Sequence, residues 1–159
     1  MPPLEVTATC GIAQRVEISR VGRASMMPVE TDCRVALRLA LWERHDLQRL
    51  SAEFFGIDVA RMKHFSSFSC RRMRTSRGES QRWSTHARGE AIDVSGFVLN
   101  DGTEIDLRID WSGLSDEAGF LRSAQRSSCK WFGGVLGPDF NNLHADHFHM
   151  QVSGRGFCR

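Results

Sequence analysis

Ala91-Ile92-Asp93-Val94-Ser95-Gly96-Phe97-Val98-Leu99, followed at once by Asn100-Asp101-Gly102, reads as one long strand running into a tight reversal. Side chains alternate across a strand, so Ile92 and Val94 fall on one face while Ala91, Asp93 and Ser95 fall on the other. The apolar pair is the natural core face, which leaves Asp93 on the opposite side. Asn-Asp-Gly supplies the residues that tolerate positive φ, a strong hairpin signal. Thr103 to Trp111 is then expected as the return strand, with Ile105, Leu107 and Ile109 alternating against Glu104, Asp106, Arg108 and Asp110.

On the N-terminal side of this hairpin, apolar residues recur at helical spacing from Asp32, a suitable N-cap, through Cys33, Ala36, Leu37, Ala40 and Leu41. A second helical segment runs from Asp46 through Leu47, Leu50 and Phe54 and stops at Gly56. His45 is expected on the surface. Residues 57–70 are β-compatible, and 71–83 form a polar Arg/Ser/Gly loop. Residues 1–32 read as an extended lead-in packed on a domain spanning 33–159, with a strand at Glu17–Val21 ending near Pro28. On the C-terminal side, Ser115-Asp116-Glu117 opens a helix carrying Phe120, Leu121 and Ala124 to about Cys129. Gly133-Gly134 and Gly137-Pro138 mark a loop, and His147 to Val152 alternates as a last strand. Helices first, then mostly antiparallel strands with one more helix, give an α+β class in a single domain.

Composition narrows the function. A chain of 159 residues can bury a real core, and 41% hydrophobic with 25% charged residues is ordinary for a globular protein. A formal charge of +2 gives no argument for nucleic acid, and no apolar run approaches the ~20 residues of a membrane span. Arg71, Arg72, Arg74, Arg77 and Arg82 cluster, as a solvated loop or as a grip on an anionic polymer or carboxylate. The five cysteines, at 10, 33, 70, 129 and 158, form no CxxC pair. Their wide spacing fits disulfides in an oxidising compartment, with at least one thiol left over. Met1-Pro2-Pro3-Leu4-Glu5 lacks the features of a signal peptide, so either export uses another route or Met1 stands in for a removed leader; the cysteines favour the second, on a periplasmic or secreted protein.

The chemistry concentrates in Ser84 to Asp93 and in His144-Ala145-Asp146-His147-Phe148-His149. Neutral imidazoles and carboxylates are ligands that Zn2+ prefers. Gly89 lets the backbone turn between His86 and the strand, so His86 can fold back over Asp93. His147 and His149 share one strand face. His86, Asp93 and His149 would make three protein ligands with one open position, the pattern of a catalytic zinc site. Such a site supports amide hydrolysis with Asp146 as general base; strict alternation back to Asp146 would turn it away and favour His147 instead. His144 and His147 are otherwise available to orient the base or to stabilise a tetrahedral intermediate.

These residues resemble a known pattern. Ser84-x-His86-x-x-Gly89-x-Ala91-x-Asp93 with Asp146-x-x-His149 and His147-x-His149 is similar to the LAS peptidases, which include lysostaphin, the D-Ala-D-Ala metallopeptidases and the hedgehog signalling domain. The resemblance is closer still to the bacterial extensin-like C-terminal domain family, through Ser67-Phe68-Ser69-Cys70-Arg71, Gly96-Phe97, Val135-Leu136-Gly137-Pro138-Asp139 and the final Cys158-Arg159. It covers about residues 33–159. It implies a zinc peptidase with a small central antiparallel sheet and flanking helices, acting on peptidoglycan peptide stems; a monomer is expected. His86, Asp93 and His149 match the metal ligands, Asp146 the acidic base and His147 the first histidine of the HxH pair. Arg71 falls where related peptidases keep an arginine for the substrate carbonyl or carboxylate. Phe68 stands where relatives often carry Tyr, and the chain has no Tyr to assist an oxyanion. A cross-link endopeptidase is the preferred expectation. The alternatives are a D,D-carboxypeptidase and a zinc-containing cell-wall binding module without activity, since a fold does not guarantee chemistry.

Overall fold

The computed structural model describes residues 1–159. Its centre is the strand β8, Ala91–Leu99, in which all nine residues are buried. Twelve strands occur in chain order: β1 Leu4–Thr7, β2 Cys10–Ile12, β3 Arg15–Val21, β4 Ala24–Asp32, β5 Val59–His64, β6 Arg72–Thr75, β7 Gly78–Trp83, β8, β9 Glu104–Asp106, β10 Gly134–Leu136, β11 Phe148–Gln151 and β12 Phe157–Cys158. The main sheet has the order β12-β10-β11-β8-β5-β4-β3, with β9 paired to β8, while β1-β2 and β6-β7 are separate hairpins. The sheet is mostly antiparallel; β4-β5 and β10-β12 are its parallel pairs. With the helices this is an α+β fold.

The helices cover one face of the sheet. Asp32 caps α1 (Cys33–Trp42), its carboxylate accepting the Arg34 N–H at 2.9 Å. The run continues through a π-helical turn at Glu43–Leu47 into α2 (Gln48–Phe55) and ends on Gly56 in the left-handed conformation. Val35, Leu39 and Trp42 face inward, whereas Leu37 is 58% exposed, so the apolar phase lies one step away from that expected. Ser115 caps α4 (Asp116–Ser128), which brings Ala118, Phe120, Leu121 and Ala124 inside. Trp42 and Phe120 both meet Phe97 of β8 edge to face, at centroid separations of 6.2 and 5.4 Å. Ile92 and Val94 belong to this core.

Several elements depart from expectation for visible reasons. The return strand stops at Asp106, whose carboxylate accepts the Arg108 N–H while Asp110 accepts the Asp106 N–H; these caps start α3 (Leu107–Asp110). Ile109 is consequently 77% exposed. The polar segment 71–83 is a hairpin, turned at Thr75–Gly78. Within residues 1–32, β3 and β4 complete one side of the main sheet, and Pro28 sits where their register shifts and no ladder N–H is needed. Gly134 lies in a strand because it packs under the Phe157 ring, where a Cβ would come within 2.1 Å of a ring carbon. No helix is long and apolar enough to cross a membrane. Disulfides join Cys10 to Cys70 and Cys129 to Cys158, and Cys33 is free and exposed.

Candidate metal centre

The face of β8 opposite the helices carries the site. Register fixes two of its members: His149 of β11 lies directly across the ladder from Asp93 of β8. The third comes from a 3-10 turn, Thr85–Arg88, immediately before β8. Ser84 caps that turn through the His86 N–H, and Gly89 ends it at a φ of 62°. This left-handed residue turns the chain from His86 into β8, so that the imidazole lies back over the strand.

His86 Nε2, His149 Nδ1 and Asp93 Oδ1 form a nearly equilateral triangle. Its sides are 3.1 Å between the two nitrogens, 3.0 Å from His149 to Asp93 and 3.2 Å from His86 to Asp93. Ligand atoms at zinc bonding distances on a tetrahedron stand about 3.3 Å apart, so the triangle suits such an ion. His86 is 1% and Asp93 8% exposed, so water cannot easily compensate what happens between them.

The far side of each imidazole determines what its near side offers. His86 Nδ1 donates to the Ser67 carbonyl at 2.7 Å, leaving Nε2 with a lone pair. The Gln151 amide nitrogen donates to the Ser153 carbonyl at 2.9 Å, which turns its oxygen toward His149 Nε2 at 3.0 Å. Nε2 therefore carries the proton and Nδ1 the lone pair. Two lone pairs and a carboxylate oxygen then face one another across about 3 Å, an arrangement stable only around a cation or with protons between them. Burial alone would raise the Asp93 carboxyl, but hydrogen bonds and positive charge from His149 and His86 override it and hold it far below the ordinary carboxylate range. A divalent ion held by the three would take over the work of those protons.

The remaining predicted residues surround this triangle. His147 precedes β11, so strand alternation does not bind it or Asp146. His147 Nε2 lies 3.6 Å from Asp93 Oδ1, and its Nδ1 lies 2.8 Å from Asp146 Oδ1. Asp146 thus sits behind His147 as seen from the triangle, partly open to solvent. His144 sits beside both other rings, tilted against His147 with centroids 5.2 Å apart and edge to face with His149 at 5.9 Å, and its Nδ1 lies 2.8 Å from Asn141 Oδ1. Burial first, then repulsion from His147 and His149 aided by Arg71 and opposed by Asp93, pushes His144 down to about 4. His144 is therefore neutral at neutral pH. Arg71 is half-buried close enough to contribute to that shift, with no acidic partner of its own. Phe65 meets His147 edge to face at 5.8 Å and Phe140 meets His144 at 5.6 Å, making an apolar rim. His45 is exposed and stacks on Trp131, and His64 bonds the Met27 carbonyl, so four of the six histidines meet at the site.

Sequence reasoning passed over the supports. Gln151 was readable, since it lies two residues beyond His149 on the same strand face. Ser67 carried no such signal, because its contribution is a backbone carbonyl. Its hydroxyl is locked in turn to Thr31 Oγ1 at 2.7 Å and to the Ala91 carbonyl at 2.6 Å. Neither the curated proteins nor the solved structures include a match to this chain. The family described as Extensin-like protein C-terminus matches residues 1–159, and the chain belongs to that family.

Proposed function

We propose that the protein is a zinc-dependent peptidase that hydrolyses an amide bond in peptidoglycan peptide stems, as a cross-link endopeptidase of the LAS group. The observation that carries this reading is the triangle of lone pairs from His86, Asp93 and His149, with an Asp146–His147 pair beside it. Zinc held by those three would polarise the amide carbonyl and lower the pKa of an attacking water toward about 7.

His147 is the better general base on geometry. Its Nδ1 proton is engaged by Asp146, so the bare Nε2 is available to take a proton at the edge of the triangle and return it to the leaving amine. Asp146 orients the ring and stabilises the imidazolium that forms, as the third member of a triad does. Neutral His144 adds a polar ring that does not repel a bound cation. Arg71 offers a guanidinium to a carbonyl or carboxylate of the peptide. Two disulfides fit an oxidising location, periplasmic or extracellular.

Mass spectrometry of muropeptides after incubation with zinc-loaded protein tests the reading. Loss of cross-linked dimers, with new monomers whose masses locate the cut, is the expected result. Release of terminal D-alanine alone would identify a carboxypeptidase instead. An unchanged profile with zinc bound would leave a wall-binding module.

A further inference from the structure

The segment from Arg71 to Trp83, which is the β6–β7 hairpin with Arg71 at its foot, supplies none of the three candidate metal ligands, yet its composition is the least balanced in the chain. Between residues 71 and 83, five arginines face Glu79 alone, a formal charge of +4. The whole chain carries +2, so everything outside this segment is net −2. Arg71 to Arg82 make no ion pair, although acidic partners hold Arg15, Arg23, Arg34 and Arg49 elsewhere. Glu79 lies opposite Arg74 across the ladder without reaching it. Unpaired like charges on a small ribbon repel one another, and a solvated loop gains nothing from collecting them.

The ribbon is also open along its length. β6 and β7 pair only with each other, so no third strand covers either outer edge, although on β7 Ser80 Oγ takes the Arg82 N–H and the Arg72 guanidinium takes the Gln81 carbonyl. Its arginines are mostly exposed, while Arg72 stacks over the Trp83 ring at 4.1 Å and bonds the Gln81 carbonyl, which stiffens the base of the arm. That base is fixed next to the metal centre at both ends. Cys70, disulfide-bonded to Cys10, precedes it, and Ser84, the cap of the His86 turn, follows it.

We propose that this hairpin is a docking arm for an extended, carboxylate-rich peptide strand, which it delivers to the metal centre. An extended peptide satisfies the open edge by strand addition, and guanidinium forks suit carboxylates in bidentate pairs. A phosphate-bearing membrane surface or a nucleic acid supplies charge but no strand for the edge. The inference rests on the peptidase reading for what happens next, but the docking step itself needs no turnover.

The test is co-sedimentation of the full chain with purified insoluble peptidoglycan under chelation, so that nothing is cut. Arg74, Arg77 and Arg82 have no side-chain partners and are changed together to Gln. Binding of the wild type should weaken as added salt shortens the Debye length from about 10 to about 3 Å. The triple variant should bind at least about tenfold more weakly at low salt, the lower end of what charge focusing supplies. Glu79→Gln, which removes the one opposing charge, should bind more tightly and guards against a misfolded triple variant. Equal binding by wild type and triple variant overturns the proposal. So does wild type that sediments with anionic vesicles or shifts duplex DNA but ignores peptidoglycan. Docking without muropeptide cleavage would leave this arm standing while refuting the peptidase reading; cleavage with arginine-independent docking would do the reverse.

Discussion

Gln151 was not among the residues the sequence marked, yet removing its side-chain oxygen should weaken metal binding. The Gln151 oxygen receives the Nε2 proton of His149 at 3.0 Å, and the amide is held in that orientation by the Ser153 carbonyl. In Gln151→Ala the imidazole is free to place its proton on Nδ1, the nitrogen that must be bare at the triangle. Thr85 Oγ1, 3.5 Å from Nε2, is too distant to replace the lost partner fully. Loss of such a supporting contact costs about 10- to 100-fold in metal affinity, or about 1.4 to 2.7 kcal/mol. Gln151→Glu should keep or tighten binding, because a carboxylate accepts the same proton and makes the ring more basic. Competition with a chromogenic chelator on metal-free protein measures both. Gln151→Ala with wild-type zinc affinity would refute the assignment of lone pairs on which the site is built.

Three further outcomes follow from the same geometry. His147→Ala and Asp146→Ala should both retain zinc, and His147→Ala should lose about 10² to 10⁴ of turnover, the usual worth of a positioned base; a larger loss in Asp146→Ala, measured on muropeptides, would make the aspartate the base. In metal-free protein, neutral His144 contributes stability that is complete above its ordinary value of 6.5 and lost as pH falls toward about 4, because the unfolded chain takes up the proton first. Denaturant unfolding across that window should show the slope in wild type and a flatter profile in His144→Asn; identical profiles would contradict it. Cys10→Ser with Cys70→Ser opens a loop of 60 residues and should cost about 4 kcal/mol by chain entropy, with a loss under about 1 kcal/mol in urea unfolding counting against the linkage as a structural anchor.

Much of the fold could be read from β8 outward, because period-2 alternation and Asn100-Asp101-Gly102 are local signals. The caps at Asp32 and Ser115 and the stop at Gly56 are equally local, and they lie where expected. Errors arose where polar residues bond their own backbone. Asp106 and Asp110 turned a clean alternation into a helical turn, and a segment rich in Arg and Ser closed into a hairpin through Thr75 and Gly78. Helix α1 misled for another reason: several phases of an apolar stripe were available, and only packing against Phe97 selects the one with Trp42 inside. The triangle itself was legible because its three members carry chemistry in their names. The order of Asp146 behind His147 was not, since it depends on β11 beginning at Phe148 rather than one residue earlier.

X-ray absorption spectroscopy of the zinc-loaded protein, alongside the metal-to-protein ratio, addresses the metal centre at its root. One zinc per chain is expected, with two imidazole nitrogens and a carboxylate oxygen at about 2.0 to 2.2 Å and no sulfur in the shell. A chain that takes up no zinc would contradict that centre, as would a zinc bound through the Cys33 sulfur or one retained unchanged in His86→Ala.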